Sequence, residues 1–309
     1  MIQRETKEMR KVYRDFLLEW SKKDETIAVL EADLSSSMST DSLKDMLGKR
    51  YINVGIMEAQ MIGTAAGLSI LGYNPYIHTF GPFASRRVYD QVFISLAYAQ
   101  LNATIIGSDA GVTAEMNGGT HMPFEELGLI RLIPNVHLFE VSDDLQFKYV
   151  LEKTRDIKGL KYIRTIRKNP VPLYENNEDF SKGYVQLREG KEGTIIASGI
   201  MVEKALEAAD LLEKKGVFVS VIDLFRIKPI NQDIIDLVKG KPIITAENHN
   251  RIGGLGSAIC EILSDQLNTP IQRIGVNESF GQVGKKDYLM EIYGLTSSNI
   301  AQSFLNLIN

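Results

Sequence analysis

One cysteine, Cys260, occurs among 309 residues. A lone thiol excludes an internal disulfide and suits a reducing compartment, and its place in the apolar helical run 257–263 points to packing. Histidine is also scarce: His78, His121, His137 and His249 show no metal-ligand spacing. No segment approaches the roughly 18–20 apolar residues that a membrane-spanning helix requires. Lysine and arginine are scattered with no long basic block, and the formal net charge is -4, so nothing favours nucleic acid or anionic lipid. A Walker loop, a Gly-x-Ser-x-Gly elbow and a zinc-type cysteine set are missing. The charged N-terminal stretch 1–14 reads as neither a signal peptide nor an anchor. These absences lead to the expectation of a soluble, cytoplasmic protein.

What is present suits two domains. A chain that is 44% hydrophobic and 24% charged can bury two separate cores at this length. An amphipathic helix is predicted over 5–23, with Met9, Val12, Tyr13, Phe16, Leu17 and Trp20 on one face. Strands predicted at 26–32, 51–54, 75–80, 104–108, 136–141 and 161–166 alternate with helices over 58–71, 84–100 and 124–133. Such alternation implies a parallel sheet covered by helices on both faces. Pro170, Pro172, asparagines and acidic residues then interrupt the pattern. It restarts with 194–198, 202–215, 217–224, 234–238, 242–246, 255–265 and 271–276. The expected organisation is a first α/β domain over 1–168, a linker over 169–184 and a smaller domain over 185–309, both three-layer α/β/α.

Four segments could carry chemistry. Glu58 lies where a strand passes into a helix, within Tyr51-Ile52-Asn53-Val54-Gly55-Ile56-Met57-Glu58, ahead of a small, apolar, glycine-rich run. It is either a first-turn carboxylate favoured by the helix dipole or a buried acid. A buried carboxyl finds a partner or takes up a proton, and a protonated one can donate a hydrogen bond to a ring nitrogen. The polar loop 108–123 contains Asn117, Gly118-Gly119 and His121, and ligand sites in parallel sheets lie beyond the carboxyl ends of the strands, where it falls. His121 is of a type to exchange protons or polarise an oxygen there. Asp33 to Thr40 ends the first strand with a hydroxyl cluster that either holds a sugar or phosphate or caps the next helix. Arg164 and Arg167 end the last strand of the first domain, where guanidinium forks suit a phosphate. A glycine run, Gly253-Gly254-Leu255-Gly256, is a weak dinucleotide fingerprint and reads better as tight helix–sheet packing.

Taken in order, the motifs resemble the C-terminal two-thirds of a transketolase, or the separate C-terminal subunit of a split one. They include Ala32-Asp33-Leu34, Asn53 to Ala59, Thr79-Phe80 through Arg87, Tyr89-Asp90-Gln91, Gly119 to Leu127, Arg131 to Asn135, and Glu247-Asn248-His249 with Ile252 to Ser257. The resemblance implies a pyrimidine-binding domain followed by a transketolase C-terminal domain. It implies thiamin diphosphate as cofactor, with Glu58 bonding the aminopyrimidine at N1′, Phe80 and Phe83 packing against that ring, and Asp33 in the cofactor cleft. It further implies His121 facing the substrate hydroxyls, and Ser37 and Arg167 holding the acceptor's phosphate. Asn117 and Met116 stand where the family usually has aspartate and glutamate, and Arg86 stands where it has tyrosine; these departures bear on which ketose is used.

The family's Gly-Asp-Gly motif, which holds the diphosphate through magnesium, occurs nowhere in this chain. A separate N-terminal subunit carrying that motif and the Mg2+ ligands is therefore expected, with two chains of each kind in the assembly and no activity without it. The expected reaction is transfer of a two-carbon ketol unit from a ketose phosphate to an aldose. Alternatives are a transketolase-like subunit for a branched or sulfonated ketose, the beta subunit of a 2-oxo-acid dehydrogenase first component, and a non-catalytic module that kept only the fold.

Overall fold

Strands buried on both faces lose the in-out alternation of a half-exposed strand and become continuous apolar runs. Such runs build most of the first sheet, whose strands are Ile27–Glu31 (β1), Tyr51–Asn53 (β2), Asn74–Phe80 (β3), Ala103–Ser108 (β4), His137–Glu140 (β5) and Leu160–Arg164 (β6). The computed structural model describes residues 4–265 and 269–308. In it these strands pair in parallel in the order β5-β6-β4-β3-β1-β2. The order reverses at β1, and all the loops after the strand ends open on one edge, where parallel sheets place their ligands.

The amphipathic helix, Met9–Trp20, matches its hydrophobic pattern and is shorter than the predicted 5–23, and Trp20 is only half-buried at its margin. Residues 4–8 precede the helix because Arg4 is held by Asp143 and Asp144, at 2.9 and 2.8 Å. The first helical amides, of Met9 and Arg10, donate to the carbonyls of Lys168 and Arg167 at 3.2 Å, which fixes the backbone that carries Arg167. The single long helix expected over 84–100 is not formed. Helix Gly81–Ala84 stops at Ser85 (φ -123°, ψ -91°), whose hydroxyl donates back to the Gly81 carbonyl at 2.7 Å. Short turns and a π-helical stretch, Val92–Tyr98, follow.

The second sheet uses Val185–Arg188 (β7), Gly193–Ala197 (β8), Val219–Asp223 (β9), Ile243–Asn250 and Ile271–Val276; the short strand Arg226–Lys228 (β10) precedes the last two, which are β11 and β12. Its order is β12-β11-β8-β9-β7, parallel except for β7. Helices flank both sheets, so the expected α/β class and three-layer architecture are observed. β11 is longer than the apolar run 242–246 suggests, because Glu247, Asn248 and His249 continue it while fully buried.

By internal packing, one unit comprises the chain up to Ala110 with Leu129–Asn176, and the other comprises Gly111–Gly128 with the chain from Asn177 onward. The long polar loop therefore belongs with the second sheet, although it follows β4 in sequence.

Candidate active site

At the carboxyl edge of the first sheet, Asn53 ties two turns together. Its Oδ1 accepts from the amides of Asp33 and Gly55, each at 3.0 Å. Asp33 has φ +61°, an uncommon conformation for a residue with a side chain, and its side chain is exposed. Gly55, at φ +73°, supplies the turn that leads into the helix Glu58–Ile70.

Glu58 opens that helix and is 4% exposed. Of the two outcomes open to a buried carboxyl, the chain shows the first: Arg87 Nη1 donates to Glu58 Oε1 at 2.6 Å. The Arg87 side chain is 45% exposed, so the cationic partner comes from the solvent side of a hidden acid. The same guanidinium lies 3.7 Å from the centre of the Phe83 ring. Phe83 stands 6.1 Å from Phe80, tilted by 37°. Arg167 lies 5.1 Å from the Phe80 ring centre, and its Nε donates to Asp109 Oδ1 at 2.7 Å. Glu58, Arg87, Phe83, Phe80, Arg167 and Asp109 thus form one unbroken row: acid, cation, two aromatic rings, cation, acid.

Beneath the strand ends runs a buried polar chain. Thr40 Oγ1 donates to Glu31 Oε1 at 2.5 Å, Glu31 Oε2 is hydrogen-bonded to His78 Nδ1 at 2.9 Å, and His78 Nε2 to Ser108 Oγ at 3.1 Å. All four side chains are fully buried, so the resemblance to a nucleophile triad is geometric only; no substrate reaches Ser108. The chain joins the end of the hydroxyl loop, in which Ser37 sits half-buried on the turn Ser35–Met38, to the start of the Asp109 turn.

Arg164 is not available to a phosphate. It is fully buried and ion-paired with Glu140, so of these two arginines only Arg167 is partly exposed. Toward the opposite end of β6, Lys161 is buried as well, donating to Asn102 Oδ1 and to the Ile157 carbonyl. Burial, with Lys158 nearby, brings its pKa down to about 7.

The second unit carries the other two candidates on the loop 111–128. Asn117 Nδ2 donates to the carbonyls of Ala114 and Glu115 at 3.0 and 3.3 Å, so the amide pins its own loop. His121 Nδ1 is hydrogen-bonded to the Thr120 hydroxyl at 2.8 Å, and the His121 amide donates to the Gly118 carbonyl at 3.1 Å. The glycine run serves packing. The Glu247 carboxylate accepts from the amides of Leu255 and Gly256, at 2.7 and 3.0 Å, and so occupies the helix N-terminus that a dinucleotide phosphate would need. A Cβ on Gly254 would lie 1.9 Å from that carboxylate.

Asp33, Ser37, Glu58, Phe80, Phe83 and Arg167 thus lie at one edge of the first sheet, and Asn117 and His121 on one loop of the second unit. Sequence reasoning missed Arg87 and Asp109, the two partners that complete the row. The spacing of Phe83 and Arg87, four residues apart as in stacked helical pairs, was the available signal.

Fold and site define an α/β chain of two sheet domains, with a buried acid and a pair of aromatic rings at the carboxyl edge of the first sheet. The chain belongs to the transketolase family: residues 5–171 match the family model "Transketolase, pyrimidine binding domain" and residues 182–300 match "Transketolase, C-terminal domain". It is 42% identical over 298 residues to the 6-deoxy-6-sulfo-D-fructose transketolase subunit SqwH of Clostridium sp. (strain MSTE9), covering 96% of this chain and 92% of that one. It is 37% identical over 304 residues to a putative transketolase C-terminal section of Methanocaldococcus jannaschii, covering 97% and 96%. Among solved structures, a split-gene transketolase in an inactive beta4 tetramer superimposes with a TM-score of 0.88 at 36% identity, over 97% of this chain and 98% of that one.

Proposed function

We propose that this chain is the C-terminal subunit of a thiamin diphosphate-dependent transketolase, moving a two-carbon ketol unit to an aldose together with a separate N-terminal subunit. The observation that carries the reading is the row from Glu58 through Arg87, Phe83 and Phe80 to Arg167 and Asp109. An acid at a helix start, beside two ring faces, fits a planar aminopyrimidine. Glu58 would hold a proton at the ring nitrogen N1′, Phe80 and Phe83 would flank the ring, and Asp33 would stand at the mouth of the cleft. When bound, thiamin diphosphate supplies a nucleophilic carbon and an electron sink. His121 exchanges a proton with a substrate hydroxyl, and the loop pinned by Asn117 carries it. The diphosphate and Mg2+ fall to the partner subunit. Support for a partner comes from the split-gene relative, which is inactive as a beta4 tetramer.

The ketose itself is proposed to end in a sulfonate, as the name of the Clostridium relative states for that protein. The charge at the tail site supports this. Arg167 has its Nε committed to Asp109, and Arg164 is consumed by Glu140. One guanidinium already paired with a carboxylate suits a monoanionic sulfonate better than a phosphate, which carries roughly 1.5 to 2 negative charges near neutrality.

The chain should be purified with an N-terminal subunit containing Gly-Asp-Gly, then assayed with thiamin diphosphate, Mg2+ and either a 6-sulfonated ketose or its 6-phosphorylated counterpart. Ketol transfer with kcat/KM at least tenfold higher for the sulfonate is expected. A preference for the phosphate overturns the substrate, and no transfer from either overturns the activity.

A further inference from the structure

The loop that carries Asn117 and His121 is gripped at its start, middle and end by residues from the far side of the sequence. At the start, Val112 donates its amide to Asn248 Oδ1 at 3.0 Å, and Asn248 is fully buried. Gly111 turns there at φ +49°, and a Cβ on it would lie 2.2 Å from Asn248 Oδ1 and 2.5 Å from the Asn248 carbonyl. In the middle, the Met116 amide donates to the Gly284 carbonyl at 2.9 Å, and Glu115 Oε2 accepts from the Lys286 amide at 2.9 Å. Gly119 meets the Gly281 carbonyl so closely that a Cβ would stand 3.0 Å from it. At the end, the Asn250 amide donates to the Phe124 carbonyl at 2.8 Å, and the Phe124 ring meets Tyr293 edge-on at 5.2 Å.

Three grips on one loop of 18 residues (111–128) are more than chain closure requires. Asn248 differs from the rest in being a buried side chain rather than backbone, with its carbonyl oxygen aimed at the pivot. Buried side-chain acceptors find donors, and here the donor is the amide at the first turn of the loop.

We propose that Asn248 is a positioning residue for the transferase reaction, and that β11 and the 280–286 turn set the loop from which His121 and Asn117 act. The inference rests on the reading of those two residues given above. It assigns the C-terminal domain a task in turnover rather than in cofactor binding, since Glu58, Phe80 and Phe83 belong to the other unit.

Hydrogen–deuterium exchange and kinetics of Asn248→Ala and Gly111→Ala, in the complex with the N-terminal subunit, test it. Peptides covering 111–128 should exchange at least tenfold faster, while those covering 58–70 and β8 stay as in wild type. The kcat for ketol transfer should fall about 10- to 100-fold with the half-saturating concentration of thiamin diphosphate unchanged. Unchanged exchange over 111–128, or an equal rise everywhere, overturns the proposal. So does a loss of cofactor affinity at unchanged kcat. Should both variants fail to fold, Glu115→Ala removes the acceptor of the Lys286 amide from a solvent-facing position. Faster exchange over 113–118 then supports the clamp, and no change overturns it. If wild type proves inactive on every ketose, the functional reading fails and exchange alone decides the clamp.

Discussion

Replacing Glu58 by glutamine separates chemistry from stability. Glutamine keeps an oxygen where Arg87 now donates at 2.6 Å, so the helix start retains a hydrogen bond. The lost ion pair has a partner that is 45% exposed, and such pairs contribute at most about 1 kcal/mol. That corresponds to a fall of about 2–4 °C in Tm. The amide cannot give up and recover a proton at a ring nitrogen. Loss of a positioned acid costs about 100- to 10,000-fold, or roughly 3–5.5 kcal/mol of barrier. Turnover should therefore drop by at least two orders of magnitude in a complex that melts within a few degrees of wild type. Coupled-enzyme ketol-transfer rates and a circular dichroism melt on the same sample make the comparison. Turnover within about threefold of wild type would falsify the catalytic assignment, and a melt lowered by more than 10 °C would make Glu58 structural.

Arg167→Ala should raise KM for ketoses with an anionic tail by about 10- to 100-fold, since a hydrogen bond to a charged group contributes about 1.5–3 kcal/mol. An equal rise with a tail-less analogue removes Arg167 from the anion site. Asn117→Asp replaces the donor to the Ala114 and Glu115 carbonyls by a carboxylate facing them. It should lower kcat for every donor, and a shift of donor preference at full kcat would show instead that the side chain reads the sugar. Lys161 has its folded pKa lowered to about 7 from 10.5, so between those values the unfolded chain holds the extra proton and stability rises with pH. From pH 6.5 to 9.5, urea titration should show wild type gaining about 3 kcal/mol relative to Lys161→Met, and parallel curves would refute the burial of an uncharged amine.

Much of the first sheet was legible, because strands sandwiched between helices must be apolar along their whole length. β3, β4 and β12 fall within a residue of the runs read from sequence. What hid from such reading was polar and buried. β11 continues through Glu247-Asn248-His249 because each side chain is satisfied inside the second unit, which hydropathy does not register. The long helix over 84–100 failed at Ser85, whose hydroxyl competes for a backbone carbonyl. Arg164 and Arg167 look alike in sequence, three residues apart, yet Glu140 pairs with one in the interior and Asp109 with the other at the sheet edge. Motif order pointed to the candidate residues and the spacing of Phe83 and Arg87 to their stacking, whereas the Asp109 contact emerged only from distances. That 111–128 packs with residues more than a hundred positions later left no local trace.

The division of the chain at Ala110 and Gly128 has a consequence for ancestry. Genes recombine along the sequence, but this loop and its bed are separated by over a hundred codons. A crossover near residue 177 would deliver a foreign 247–286 to a native 111–128, and offspring of such an exchange would inherit mismatched halves of one joint. Active hybrids between relatives should therefore be rare unless both segments come from the same parent.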